Sequence, residues 1–278
     1  MNNTIDIKRL GLLMRWDLLT FRKGYTFSTL ACIIAYSLYS LVGINNLKGV
    51  VMYDFDSSLV GTQKHYLSEE SVFFGLLCFI VFYVMASCIF NNLRTKTYRE
   101  NFLMLPASNK EKYMARLLLM VFLSLIELCI ILFATDAIQL AFSYIINPGF
   151  HVSISWPVLK SIFGSTLFTR WEEQDAIFYS FFIFAHSFCT LGGTFYRKMA
   201  PLFTFLTGLV LFMVFGYAIQ WMANPGLLDF LKPYNDGHNY IFTTMLCILF
   251  FALSAFNYWA SYKLFTRMQV ICNKWINI

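Results

Sequence analysis

Six long hydrophobic runs alternate with short polar segments along this chain. An α-helix needs about 20 predominantly apolar residues to cross the hydrocarbon core of a bilayer, and each run approaches that length. The runs lie at approximately 26–44, 72–91, 117–138, 176–195, 201–222 and 240–262. Pro201 stands in the first turn of the fifth run, where its missing amide does no harm. The pattern predicts an all-α integral membrane protein with six transmembrane helices in a single domain, 1–278.

Residues 1–25 precede the first run and predict a separate amphipathic helix. A hydrophobic stripe recurs there at spacings of three and four, at Ile7, Leu10, Met14, Leu18 and Phe21. Basic residues fall seven apart on another face, at Lys8, Arg15 and Arg22. This pattern is typical of a cytoplasmic helix that lies in the headgroup region. The alternative is an ordinary basic flank that leads into the first span.

A basic segment from Arg94 to Arg116 separates the second and third runs. Leu105 precedes Pro106, which disfavours α conformation at Leu105 and predicts that a helix ends there. Ser108 stands three residues before Glu111, the spacing of a capping box that satisfies the first free amides of a new helix. The loop is therefore predicted to be a helix, a proline turn and a second helix.

Composition and charge indicate the class of protein and its orientation. The chain has 278 residues, of which 58% are hydrophobic and 13% charged, against roughly 25% charged in a soluble domain. Sixteen of the 21 Lys and Arg residues fall in the N-terminal segment, the central loop, the turn after the fourth run and the C-terminal tail. Because Lys and Arg favour cytoplasmic segments, these parts and both termini are predicted to be cytoplasmic. The net charge of +6 is attributed to this orientation and not to a nucleic-acid patch.

The intervening segments are predicted to lie outside. They include 45–71, which is polar, and 150–175, which is only moderately hydrophobic. Ten of the 15 acidic residues fall in the predicted external segments or at their edges, with Glu70 in the first of them and Asp136 at the outer end of the third run. This distribution is the reverse of that of the basic residues and supports the same topology.

The sequence chemistry argues against an enzyme. No G-x4-G-K-[ST] sequence occurs, so this chain is predicted not to hydrolyse ATP itself. The seven cysteines lack metal-ligand spacing, and no metal site is predicted. The pair Glu172-Glu173 and the later F-x3-H ending at His186 superficially resemble motifs of intramembrane CAAX-type proteases. Those proteases carry an Arg four residues after the second Glu, where this chain has Ile177, and no catalytic residue is predicted.

Two ionisable residues, Glu127 in the third run and His186 in the fourth, lie near mid-span. Charged groups at that depth are costly and usually face protein or a water-filled cavity, so both are candidate residues of a substrate pathway. Their similar depth leads to the hypothesis that they share a proton or a hydrogen bond. The alternatives are that Glu127 pairs with a hydroxyl such as Ser124 and locks helix packing, and that His186 is an interhelical hydrogen bonder.

The layout and the central loop together resemble a known family. Six spans, a basic amphipathic N-terminal helix and the loop sequence R-x4-RENFLMLPAS-x2-EK-x3-R are similar to the membrane subunits of ABC-2-type transporters, the permease half of an ATP-driven exporter. In that family this loop holds a coupling helix that docks on a separate ATPase subunit. Carried onto this chain, the resemblance implies a coupling helix at 97–104. The implied coupling residues are Arg99, Glu100, Asn101, Phe102, Leu103 and Met104.

The resemblance also implies partners and a location. A cytosolic ABC ATPase subunit would carry ATP and Mg, a second permease subunit would complete a homodimer or heterodimer, and membrane lipids would surround the spans. The location would be the inner (cytoplasmic) membrane, and no cofactor is expected in this chain. The external element between spans five and six is shorter here than is common in the family, and the excursion after span three is longer, so no substrate is implied. The alternative function is a non-transporting accessory or immunity membrane protein that binds a peptide or lipid.

Overall fold

The fold is helical in the part of the chain that the computed structural model describes, residues 6–47, 57–146, 151–160, 173–222 and 240–268. This part of the chain contains eight α-helices and one short 3-10 helix, Asn91–Arg94. The α-helices are α1 (Ile7–Leu47), α2 (Ser57–Ser87), α3 (Lys96–Met104), α4 (Asn109–Ile146), α5 (Ser155–Leu159), α6 (Glu173–Phe195), α7 (Ala200–Met222) and α8 (Tyr240–Thr266).

Five helical stretches within these described residues are long and apolar enough to cross a membrane. They are Ile7–Leu47, Gln63–Ser87, Asn109–Ile146, Ala176–Phe195 and Thr243–Thr266. The prediction of an all-helical, multi-pass membrane protein is confirmed at this level. α7 has 23 residues, but its apolar part among the residues searched, Ala200–Val214, is shorter than a span. The sixth span therefore stays a prediction.

Three predicted boundaries differ from the structure. α1 is one continuous helix of 41 residues, so no break separates the predicted interfacial helix from the first span, and the alternative of a flank leading into the span fits better. Gly24 lies at the predicted junction, but a single glycine costs only about 1 kcal/mol in a helix. α2 begins at Ser57 and includes the second half of the segment predicted to be a polar external connection. α4 reaches Ile146, beyond the predicted end of the third span near 138, and this agrees with the alternative that the third helix extends past the membrane towards Ile146.

The helices divide into two compact units. The first consists of Met1–Met14, Tyr83–Met120 and Glu172–Ile278, and the second of Arg15–Phe82 and Val121–Trp171. α1, α2 and α4 contribute residues to both units, whereas α3, α6, α7 and α8 belong to the first.

In the first unit, α6 packs against α8 and α7. Two glycines allow close approach of the backbones. A side-chain carbon on Gly193 would stand 2.5 Å from the backbone oxygen of Ser87, and one on Gly192 would overlap the side chain of Thr204. Membrane helices commonly use small residues in this way because lipid supplies little hydrophobic drive for their association.

Hydrogen bonds between buried side chains join α4, α6 and α8 in the same unit. The Tyr113 hydroxyl donates to Ser261 Oγ at 3.1 Å, and the hydroxyls of Ser261 and Thr194 lie 2.7 Å apart. Asn257 Nδ2 donates to Ser187 Oγ at 3.2 Å. Buried polar groups need such partners, because leaving one without a hydrogen bond costs about 1–3 kcal/mol.

The second unit buries a carboxyl that the charge pattern assigns to an external segment. Glu70 is only 1% exposed. Its Oε2 accepts a hydrogen bond from Ser40 Oγ at 2.9 Å, and the side chains of Tyr36 and Tyr66 lie beside it. The polar residue is tolerated within α2 because α1 supplies its partner. The predicted external side of this segment stays a prediction, because burial against α1 does not depend on the side of the membrane.

A second buried carboxyl holds α5 against α4. Oδ1 of Asp136 accepts the backbone amide of Ile154 at 2.9 Å. Oδ2 accepts the hydroxyls of Ser153 at 2.7 Å and of Ser155 at 2.5 Å. Asp136 is 8% exposed, and its hydrogen bonds hold the residues at the start of α5, so this acid has structural partners.

Candidate functional site

α3 lies in the loop between α2 and α4 and contains all six predicted coupling residues. Thr95 is extended, with φ −85° and ψ 143°, and the helix begins at the next residue, Lys96. Leu105 is again extended, with ψ 134°, because the ring of Pro106 disfavours α conformation before it. α4 begins three residues after the proline, at Asn109. The loop therefore has the predicted order of helix, proline turn and helix.

Glu111 caps two helices at once. Its Oε2 accepts the Ser108 amide at 2.8 Å, and Ser108 Oγ accepts the Glu111 amide at 3.2 Å, which is the reciprocal pair that the sequence spacing predicts. Its Oε1 accepts the amide of Asp6 at 3.0 Å and lies 3.4 Å from the Arg9 guanidinium. Hydrogen bonds from two backbone amides lower the pKa of the Glu111 carboxyl, and the amide of Asp6 contributes more than that of Ser108. Glu111 precedes the apolar stretch that starts near Leu117. The contact that ties α1 to α4 joins residues 105 positions apart, so spacing could not reveal it.

Arg99 and Phe102 form the buried face of α3. Arg99 is 1% exposed, and its Nε donates to the carbonyl of Leu93 at 3.1 Å. Phe102 is fully buried. Its ring centroid lies 3.9 Å from the guanidinium carbon of Arg116 and 6.2 Å from the ring centroid of Phe265 on α8. Two of the six predicted coupling residues are therefore internal, and a partner docking on α3 cannot reach them while the helix keeps this position.

Two basic residues in the first turns of α4 anchor the loop. Nη1 of Arg116 donates to the carbonyl of Ile89 at 3.2 Å, and its guanidinium carbon lies 5.1 Å from the ring centroid of Phe90. Nζ of Lys112 donates at 2.8 Å to the carbonyl of Leu103, a half-buried residue in the last turn of α3. Both cations are buried and are stabilised by carbonyl acceptors and aromatic faces. Both side chains therefore contribute to packing, a role that the number of Lys and Arg residues in the loop does not indicate.

The opposite face of α3 is open. Tyr98 is 48% exposed and Met104 83% exposed, and Asn101 lies between them on the exposed side. Glu100 is half-buried, with Oε1 3.8 Å from Nζ of Lys96. This free face, defined as Tyr98, Asn101 and Met104, is the surface of α3 that a partner could contact. Two residues of the free face, Asn101 and Met104, are predicted coupling residues. The prediction missed Tyr98, although its spacing of three from Asn101 places both on one side of a helix.

Glu127 lies in the second unit and faces an open groove of about 340 Å³ between α1 and α4. Its side chain is 3% exposed. The hydroxyl residues Ser28 and Thr29 are its polar neighbours, yet neither carboxylate oxygen has a hydrogen bond of good geometry within the described residues. Ser124, the partner offered as an alternative by the sequence, donates instead to the carbonyl of Val121 at 2.8 Å.

His186 lies in the first unit, on the face of α6 that meets α8. Its Nδ1 is 2.7 Å from the hydroxyl oxygen of Tyr258. This contact agrees with the alternative of an interhelical hydrogen bond. Glu127 belongs to the other unit, so the pairing of Glu127 with His186 stays a prediction.

Known proteins provide no further guide to the site. No family model, curated protein or solved structure matches this chain. The likeness to ABC-2-type permeases therefore depends on the loop motif and the helical layout alone.

Proposed function

We propose that this chain is the membrane permease subunit of an ABC-2-type exporter. It works with a separate cytosolic ATPase subunit, which carries ATP and Mg, and with a second permease subunit as a homodimer or heterodimer. The observation that carries the proposal is α3, a short helix with one face anchored in the protein and the other face free. A passive connector between two membrane helices needs neither the anchors nor the free face.

The anchors of α3 suit it to transmit movement. The ring of Phe102 lies against Arg116 of α4 and near Phe265 of α8, and Lys112 ties the last turn of α3 to α4. Protein interiors are close-packed and have little slack. A displacement of the free face by an ATPase would therefore move α4 and α8 as well, and export would follow from alternating exposure of a path between the two permease subunits.

The location follows from the same proposal. The chain is a multi-pass protein of the inner membrane, with α3 and both termini in the cytoplasm, as the distribution of Lys and Arg favours. An ATPase made in the cytosol can meet α3 only in that orientation. The proposed path includes Glu127 and His186.

The test compares two exposed methionines in different parts of the first unit. Met104 is on the free face, and Met199, which is 59% exposed, lies between α6 and α7. The full chain is purified from native membranes in mild detergent, and the co-purifying ATPase subunit is quantified by mass spectrometry and by ATP hydrolysis. Met104→Asp is expected to lower the recovered ATPase about tenfold, which corresponds to about 1.4 kcal/mol. Met199→Asp is the matched control and should leave recovery unchanged.

Two results would contradict the proposal. Equal ATPase recovery with wild type and Met104→Asp would show that the free face is not the contact surface. Absence of any ATPase subunit from the wild-type complex would favour an accessory or immunity protein that binds a peptide or lipid without transport.

A further inference from the structure

The groove beside Glu127 combines apolar walls with a buried acid. Its two sides are formed by the parts of α1 and α4 that belong to the second unit. Its volume of about 340 Å³ falls in the range of about 300–1,000 Å³ that small-molecule sites occupy. The walls are mainly aliphatic, with Leu30, Ile33, Ile126 and Ile130 among the lining residues.

The polar neighbours of the acid at this groove are the hydroxyl residues Ser28 and Thr29. Both oxygens of Glu127 are buried and without a hydrogen bond of good geometry among the residues that the structure describes. Thr29, a polar neighbour that also lines the groove, donates its hydroxyl to the carbonyl of Tyr25 at 2.8 Å. A carboxylate without a charged partner or a well-formed hydrogen bond is strongly unfavourable in an apolar environment. A ligand that brings donors and a positive charge would remove that cost.

We propose that this groove binds a lipophilic cation, a primary ammonium group on an apolar body. The ammonium donates to Glu127 and compensates its charge, while the apolar body covers side chains that are otherwise open. Leu30 and Ile126 are each 55% exposed, and Ile130 is 49% exposed. A neutral alcohol offers one donor and no charge, and an anion would repel the carboxylate.

This inference deepens the proposed function, since a lipophilic amine would then be the class of substrate that the exporter moves. Binding itself needs neither the ATPase nor the second permease subunit. The two ideas can therefore fail separately: loss of ATPase co-purification leaves the binding measurement unaffected, and failure of binding leaves the ATPase contact unaffected.

The experiment uses the purified full chain in phosphatidylcholine nanodiscs. The probes are a dodecylamine that carries a photoreactive diazirine and a dodecanol with the same diazirine at the same carbon. After irradiation and digestion, mass spectrometry locates the labelled peptides. The amine is expected to label residues 25–33 and 123–130. Because hydrogen bonds to a charged group are roughly twice as strong as neutral ones, the amine should label at least about tenfold more than the alcohol.

Three variants assign the effect to the groove. Glu127→Gln keeps the shape and removes the charge, and should reduce amine labelling to the level of the alcohol. Ile130→Trp keeps the carboxyl and fills the groove, and should reduce labelling by both probes. Glu70→Gln changes another buried acid of the same unit, which does not line the groove, and should leave labelling unchanged.

Several outcomes would overturn the proposal. Equal labelling by amine and alcohol, or amine labelling that survives Glu127→Gln, would show that charge does not select the ligand. Absence of probe labelling together with cross-links between two chains at 123–130 would show that a second copy covers the groove. If Glu127→Gln fails to fold, undiminished amine labelling of Ile130→Trp would still refute the site.

Discussion

Truncating the buried ring of α3 should release the helix from the protein. Phe102 is fully buried, and Phe102→Ala removes its contacts with Arg116 and Phe265. Phe→Ala changes in cores cost about 3–5 kcal/mol. Phe102→Leu keeps most of the apolar volume but loses the ring face over the guanidinium, and should cost about 1–1.5 kcal/mol. Met104→Ala truncates a side chain that is 83% exposed and should change stability by no more than about 0.5 kcal/mol.

Limited trypsin cleavage after Arg99 measures this release directly. Arg99 is 1% exposed, so the bond becomes accessible only when α3 opens. When opening is fast, the cleavage rate follows the population of the open form, and about 3 kcal/mol corresponds to a rise of roughly a hundredfold. We expect cleavage at this bond to rise about a hundredfold in Phe102→Ala and roughly tenfold in Phe102→Leu. Met104→Ala should remain close to wild type.

Phe102 would not be an anchor of α3 if the two faces of the helix behaved alike. Equal cleavage rates in Phe102→Ala and Met104→Ala would show that Phe102 does not hold the helix. A rise of less than about threefold in Phe102→Ala would mean that its contacts contribute under about 0.7 kcal/mol, far below the cost expected for a buried ring.

Three further expectations concern the topology, the hydrogen bonds of Asp136 and the pH dependence of stability. A cytoplasmic reporter fused after Asn109 should be active and one fused after Gln63 inactive, and the reverse pattern would refute the proposed orientation. Asp136→Ala removes the acceptor of three hydrogen bonds and should cost about 2–3 kcal/mol in unfolding experiments, whereas Asp136→Asn should cost less. Because the folded-state pKa of Glu111 is lowered from the ordinary 4.5, its contribution to stability is present above pH 4.5 and is lost as pH falls through the lowered folded value. Glu111→Gln should therefore lose less stability than wild type between pH 6 and pH 3, and identical pH slopes would contradict this role.

The sequence by itself determined the features that depend on near neighbours. Long apolar runs predict helices that can cross a membrane, because such helices satisfy their own backbone hydrogen bonds. Pro106 ends α3 through its effect on Leu105, and the pair Ser108 and Glu111 starts α4 through hydrogen bonds across three residues. Each of these relations lies within a few residues, so spacing was enough to predict it.

Only the tertiary structure decided which polar residues are internal. Glu70 and Asp136 look like external charges along the chain, and Arg99 looks like part of a docking surface. Each is buried because a distant or non-periodic partner satisfies it: Ser40 lies 30 positions from Glu70, and residues 153–155 lie 17 to 19 positions from Asp136. A buried charge is stabilised where such partners converge, and their convergence depends on how the helices pack. For the same reason the sequence identified Glu127 as a costly mid-span acid, but its position beside an apolar groove could be seen only in the folded chain.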